Sequence, residues 1–268
     1  MRSRDEETGM ALDPGGGAHA PVKSADRVLA ILECLAEHGE LTLGELRTRL
    51  DIPKSSLHAL LHTLLDRRWI DQDGSRTRFS LGVRALQIGT AYVDADPVTA
   101  RCQEALDEIA RRTGEAVHLG RLDGADVVYL AKRESVHPLR LFSAIGRRLP
   151  AHATALGKAM LACLPPEDVR RIVGPRLEAL TAATRTDVDT LLAELSQAAE
   201  RGWASEYEEN EPGVSCVAVP LRLGQASLDA ISVTAPSARW NETTTPRILA
   251  ALTSVRDELE RFASPRRR

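Results

Sequence analysis

The sequence predicts an α+β protein of two domains, with a mainly antiparallel sheet in the second. Three observations carry this reading. From about Ser24 to Gly114 apolar residues recur mostly at helical spacing, interrupted by one short hairpin signal. From Ala116 onward short β-rich runs mix with amphipathic helices. Within the helical region Asp96-Pro97 restarts a helix, and the domain boundary is placed near residue 95.

The totals agree. Of the 268 residues, 43% are hydrophobic and 27% charged, as in ordinary soluble chains. Only 3% are aromatic, so the cores must be built from Leu, Val, Ile and Ala, and a large stacked cofactor is disfavoured; none is expected. No apolar run reaches the roughly 20 residues needed to cross a bilayer. Met1 to Ala20 is charged and then Pro/Gly-rich, so no signal peptide is expected. Cys34, Cys102, Cys163 and Cys216 are far apart, with no CxxC pair. They fit reduced thiols in cytoplasm rather than a metal or disulfide framework.

Taken in order, residues 1–21, with Gly15-Gly16-Gly17, read as a disordered arm. A helix starts near Ser24, with Val28, Leu32 and Leu35 on one side and Gly39 past its end. Thr42 caps a second helix, and Glu45 completes a capping box; Leu43, Leu46 and Leu50 share its apolar side. Asp51 and Ile52 form a turn, and Pro53 is expected at the first position of a third helix. Leu57, Leu60, Leu61, Leu64 and Leu65 make its apolar stripe. Past Trp69, Asp73-Gly74 signals a hairpin, with Arg76 and Arg78 expected on one side of the returning strand.

Helix, tight turn, helix and hairpin over residues 22–82 make a winged helix-turn-helix, whose second helix enters the major groove of DNA. The polar side of that helix carries Lys54, Ser55, Ser56, His58 and His62, clustered toward its amino end. Thr42, Arg76 and Arg78 complete the expected DNA-binding set. Glu45 to Arg84 holds eight Lys/Arg against five Asp/Glu, whereas the whole chain carries a net charge of -3. An excess this small calls for more than one copy of the domain on the DNA, since isolated contact sets bind weakly.

Residues 83–96 are expected to form a linker helix, and residues 97–263 the second domain, with a basic tail at 264–268. The helix from Asp96-Pro97 buries Val98, Cys102, Ala105, Leu106 and Ile109 and closes at Gly114. Ala116–Leu122 and Val127–Ala131 are strands joined at Asp123-Gly124, and Leu139–Phe142 is a further expected strand. A loop from Gly146 to His152 leads into a helix over about Thr154–Leu164; Pro165-Pro166 breaks it and starts a short one. Asp187–Arg201 is an amphipathic helix, Trp203–Tyr207, Cys216–Leu221 and Leu228–Thr234 are strands, and Pro246–Phe262 is the last helix.

Three stretches carry a resemblance to the IclR family of bacterial transcriptional regulators. They are Ser24-Ala25-Asp26-Arg27-Val28-Leu29, the run Leu149-Pro150-Ala151-His152-Ala153-Thr154-Ala155-Leu156-Gly157-Lys158-Ala159, and Glu211-Pro212-Gly213-Val214-Ser215-Cys216-Val217-Ala218-Val219-Pro220. The resemblance implies a GAF-like second domain that binds a small effector. It places the effector against Ala155, Leu156, Glu206, Cys216, Ser232 and Thr234. Ser232 and Thr234 alternate along one strand and share a face. Glu206 would repel an anionic effector unless protonated or bonded to a ligand hydroxyl. Ala59 stands where many members have an arginine in the recognition helix, removing one base contact.

The expected function is therefore a ligand-responsive regulator, commonly a repressor. It would bind double-stranded DNA at a pseudo-palindrome as a homodimer or homotetramer, controlled by a small effector such as a carboxylate. Two alternatives stand beside it. One is a thiol enzyme with Cys216 as nucleophile and His152 as base. The other is a ligand-binding module without DNA binding.

Overall fold

The computed structural model describes residues 21–137, 143–224 and 227–263. The expected arm, the strand at Leu139–Phe142 and the basic tail fall outside those residues. The chain divides into two compact units, one ending at Ile88 and the other starting at Gly89.

The first unit contains α1 (Lys23–His38), β1 (Leu41–Thr42), α2 (Leu43–Leu50), α3 (Lys54–Asp66), β2 (Ile70–Gln72) and β3 (Arg78–Leu81). Ile31, Leu35, Leu46, Leu57, Leu61 and Ile70 anchor its core. The helices start and stop for local reasons. The Thr42 hydroxyl accepts the Glu45 amide at 3.2 Å, and the Glu45 carboxylate accepts the Thr42 amide at 2.7 Å. Asp51 takes a left-handed conformation (φ 48°) and ends α2.

Two details correct the sequence reading. Pro53 is the cap of α3 and not its first residue, because its ψ of 137° is extended; its carbonyl accepts the Leu57 amide at 2.9 Å. The hairpin is wider than a two-residue Asp-Gly turn. The Asp73 carboxylate gathers the amides of Thr77 (2.7 Å) and Arg78 (2.8 Å) and the Ser75 hydroxyl. The chain is thereby held in a loop from Asp73 to Thr77, and the strand begins only at Arg78. Arg76 therefore lies in the loop with φ 56°, not on the strand beside Arg78.

The division between units falls within α4 (Val83–Ala95), which has no buried residue. The second unit begins with α5 (Pro97–Thr113), capped by the Asp96 carboxylate on the Thr99 amide at 2.7 Å. Its sheet joins β4 (Ala116–Asp123), β5 (Asp126–Arg133), β6 (Arg148–Pro150), β7 (Ala204–Tyr207), β8 (Val214–Leu221) and β9 (Asp229–Pro236). The order is β6-β5-β4-β9-β8-β7, every neighbour antiparallel.

The two sheet faces have different work because side chains alternate along each strand. Val117, Leu119, Val217, Val219, Ile231 and Val233 face α5 and α9 (Thr244–Ala263). The opposite face carries α6 (Ala155–Leu161), with α8 (Val188–Arg201) packed against it and α7 (Pro166–Val173) beyond. The helix expected over 154–164 is shorter, because Thr154 is its cap: its hydroxyl accepts the Gly157 amide at 3.1 Å. Close approach fixes one residue type here. A Cβ on Gly157 would stand 2.1 Å from the Ala151 carbonyl oxygen.

Arg121 on β4 locks the start of α5 to the sheet. It bonds Asp96 and Asp229 at 2.7 Å each, and the Tyr92 hydroxyl at 2.9 Å. All three charged groups are buried to at least six-sevenths, where unpaired charge would be costly and paired charge fixes geometry.

Candidate functional sites

The polar side of α3 is one candidate. Leu57, Leu61 and Leu64 turn inward, which leaves Lys54, Ser55, His58 and His62 exposed and Ser56 half-buried. The rings of His58 and His62 lie 4.5 Å apart, one helical turn along the same side. Ala59 is exposed on this helix and offers no polar group. Lysine and hydroxyl donors at a helix start are suited to phosphates and base edges.

The remaining members of the expected set sit differently. Thr42 is half-buried, and its hydroxyl serves the α2 capping box. Arg78 reaches back to the Glu40 carbonyl at 3.1 Å and lies 3.9 Å from the Glu45 carboxylate, so it braces β3 against β1. Arg76 is exposed at the loop of the hairpin.

The second candidate is a cavity over the α6 face of the sheet. All six residues expected there line it: Ala155, Leu156, Glu206, Cys216, Ser232 and Thr234. Register explains the convergence. Glu206 is opposite Cys216 and Cys216 is opposite Thr234, so three strands place one polar row side by side. His118 on β4 pairs with Ser232 and extends the polar surface to a fourth strand. Tyr129 on β5 stacks on the His118 ring at 4.7 Å. The free volume is about 40 Å³, and a wider opening of about 380 Å³ shares Arg147, Leu149, Asn210 and Glu211 with it.

Hydrogen bonds run along this row. The Cys216 thiol donates to the Thr234 hydroxyl at 3.1 Å, and that hydroxyl lies 3.4 Å from His118 Nδ1. Burial governs the protonation states. It pushes the Glu206 carboxyl up to about 7, so about half of the molecules hold this proton at pH 7, where an ordinary carboxyl would have lost it. Burial pushes the His118 imidazole down to about 4, with Lys132 adding to the effect, so the ring is neutral. It raises the Cys216 thiol well above its ordinary value.

Those states decide between binding and catalysis. A thiol held protonated is a poor nucleophile. The expected base, His152, is engaged elsewhere: its Nε2 lies 3.0 Å from the Glu178 carbonyl. The arrangement is a polar, partly protonated floor under a small cavity. Among the described residues, no group of three His, Cys, Asp or Glu is placed to hold a metal, and no helix is long and apolar enough to cross a membrane.

Sequence reasoning passed over His118, Tyr129 and Lys158. The first two were legible as polar residues within otherwise apolar strands, since buried polar groups need partners. Lys158 is completely buried, with Nζ bonded to Glu194 at 2.8 Å and to both oxygens of Glu209 at 2.7 and 2.6 Å. Of the two arginines before the His-Ala-Thr run, Arg147 lines the cavity, while Arg148 pairs with Asp123 and Asp126.

An amino-terminal helix-turn-helix unit followed by an α+β unit with a polar cavity defines a class of two-domain transcriptional regulators. Comparison with known proteins agrees. Residues 24–74 match the IclR helix-turn-helix domain, and residues 90–261 match the family described as bacterial transcriptional regulator IclR C-terminal. The HTH-type transcriptional regulator XynR of Escherichia coli is 37% identical over 202 residues, covering 75% of this chain and 80% of that one. An IclR transcriptional regulator from Alicyclobacillus acidocaldarius has a similar structure, with TM-score 0.80 and 24% identity over 91% of this chain and 100% of that one. An IclR homologue from Microbacterium hydrocarbonoxydans, solved with 4-hydroxybenzoate, gives 0.71 and 20% over 89% and 99%. The chain belongs to the IclR family of transcriptional regulators, a family of DNA-binding regulators and not of enzymes.

Proposed function

We propose that this chain controls transcription by binding double-stranded DNA through α3, with a small organic acid in the cavity adjusting its affinity. The observation that supports this most is the polar row Glu206–Cys216–Thr234–His118. Glu206, Thr234 and His118 are buried and Cys216 half-buried, and the row is assembled from four strands and open to a cavity, whereas a structural sheet face would be apolar. The homologue that holds 4-hydroxybenzoate supports an acid as the class of effector. A carboxyl at Glu206 that is protonated near neutral pH donates to such a ligand instead of repelling it.

Lys54, Ser55, Ser56, His58 and His62 contact the DNA in this reading, and Arg76 approaches the backbone from the hairpin loop. Thr42 and Arg78 support that surface from behind. Two copies join through the linker helix, where Val83, Leu86, Ile88 and Tyr92 are each more than half exposed. A homodimer, or a pair of dimers, then spans a pseudo-palindrome, with repression the commoner outcome. The four cysteines stay reduced, and the protein works in the cytoplasm.

Fluorescence anisotropy with the chain's own upstream DNA at low salt tests the proposal. Wild type binds, and the double substitution Lys54→Ala with Ser55→Ala abolishes binding while leaving the circular dichroism spectrum unchanged. Equal binding by both proteins would refute the role given to α3.

A further inference from the structure

One polar atom in the cavity wall is left over. His118 is 98% buried, and its Nε2 has no hydrogen-bond partner among the described residues. Buried polar atoms without partners are rare, and one on a cavity wall awaits whatever fills the cavity. The ring is held on one face and at its other nitrogen: it stacks on Tyr129 at 4.7 Å, and Nδ1 lies 3.4 Å from the Thr234 hydroxyl.

Proton bookkeeping along the row gives the state of that nitrogen. With Glu206 protonated and bonded to the Cys216 sulfur, the thiol gives its own proton to the Thr234 oxygen. Thr234 has one hydroxyl proton, which is left to point at His118 Nδ1. Nδ1 is then the acceptor, and a neutral imidazole with Nδ1 bare carries its hydrogen on Nε2. The leftover atom is a donor.

We propose that His118 is a ligand-contacting residue that sets specificity: its Nε2–H donates to an acceptor oxygen of the bound molecule. The occupant is then a small carboxylate with a second oxygen, and not one with an ammonium in that place. This rests on reading the cavity as the effector site. Arg147, the one Lys or Arg among the described residues lining the cavity, is the partner for the carboxylate. Tyr129 lines the same cavity and stacks on His118, so Arg147 and the His118 ring face one ligand within a single cavity. The free volume of about 40 Å³ restricts the buried part of the ligand to a few atoms.

Three probes of nearly equal size separate the possibilities: acetate has no second polar group, glycolate has a hydroxyl, and glycine has an ammonium. Each is titrated into the ¹⁵N-labelled full-length protein, following the His118 ring nitrogens and the Ser232 and Thr234 amides. Before addition, Nε2 shows the protonated type of shift and Nδ1 the bare type. Glycolate moves Nε2 and binds roughly tenfold more tightly than acetate, and glycine gains nothing. His118→Phe keeps a ring against Tyr129 and erases the glycolate advantage. His118→Gln returns an N–H donor and restores part of it, which also covers the case in which the Phe variant does not fold.

Glycine binding as tightly as glycolate, or a bare Nε2 in the wild type, overturns the proposal. A glycolate advantage that survives in His118→Phe, with Ser232 and Thr234 still shifting, overturns the role of His118 and leaves the effector site standing. No shift at Ser232 or Thr234 with any probe overturns both.

Discussion

The Glu209 amide donates to the Glu206 carboxyl at 2.9 Å, and the same Glu209 grips Lys158 with both of its own oxygens. One residue thus joins the cavity floor to a buried ion cluster that also includes Glu194 and, at 3.4 Å from it, Arg185. The backbone of Glu209 is held in turn: its carbonyl accepts the Thr184 hydroxyl at 2.6 Å. The position of Glu206 depends on this cluster as much as on its own strand.

Removing the centre of the cluster is therefore expensive. Lys158→Met leaves Glu209, 95% buried, without its bonded cation and facing Glu194, with Arg185 left as the cluster's cation beside Glu194. Breaking a buried pair from one side costs about 3 kcal/mol or more. Urea unfolding of Lys158→Met is expected to show a loss of that size, and Glu209→Gln in the same background should recover part of it.

Glu206 gives stability a pH dependence of known sign. Its folded-state pKa of about 7 lies above the ordinary value of 4.5, so the native state holds a proton that the unfolded state has released. The stability this group contributes is complete below pH 4.5, declines as pH rises, and is gone above about 7. Glu206→Gln removes the titration. The wild-type unfolding free energy should therefore fall relative to the variant between pH 4.5 and 7.5, by on the order of 3 kcal/mol. A parallel pair of curves would contradict the assigned burial.

Thr42 separates fold from function on the DNA side. Thr42→Ala removes the acceptor for the Glu45 amide and half of the capping box. It should lower stability by about 1 kcal/mol, measured by denaturant titration. Lys54→Ala should do the reverse: stability unchanged, and the salt dependence of DNA binding less steep by about one counterion.

Gly157 is a steric prediction. Its missing Cβ would collide with backbone, at 2.1 Å from the Ala151 carbonyl oxygen and 2.3 Å from its Cα, and backbone cannot swing aside. Gly157→Ala must push α6 away from the Ala151–Ala153 turn. A loss of 1–3 kcal/mol, about the usual cost of overpacking, is expected in thermal melts. Because Ala155 and Leu156 line the cavity on the same helix, acetate and glycolate binding should weaken as well.

The sequence alone settled what is local. Thr42 and Glu45, Asp96-Pro97, Gly114 and the leucine stripe of α3 placed helix ends and buried sides correctly, because a cap or a 3.6-residue period is decided within one or two turns of chain. The family resemblance then named six residues of the cavity that periodicity could not have grouped. Only the tertiary structure decided the rest. Whether Arg76 sat on the strand depended on how many amides Asp73 gathered, and whether Arg78 was available depended on pairing with β1. His118 joined the floor because β4 pairs with β9, 116 residues away in sequence from Thr234. Alternation tells each strand which side faces inward, but it carries no information about which residue of another strand lies across from it. That choice belongs to register, and register is fixed only when the whole sheet closes on its core.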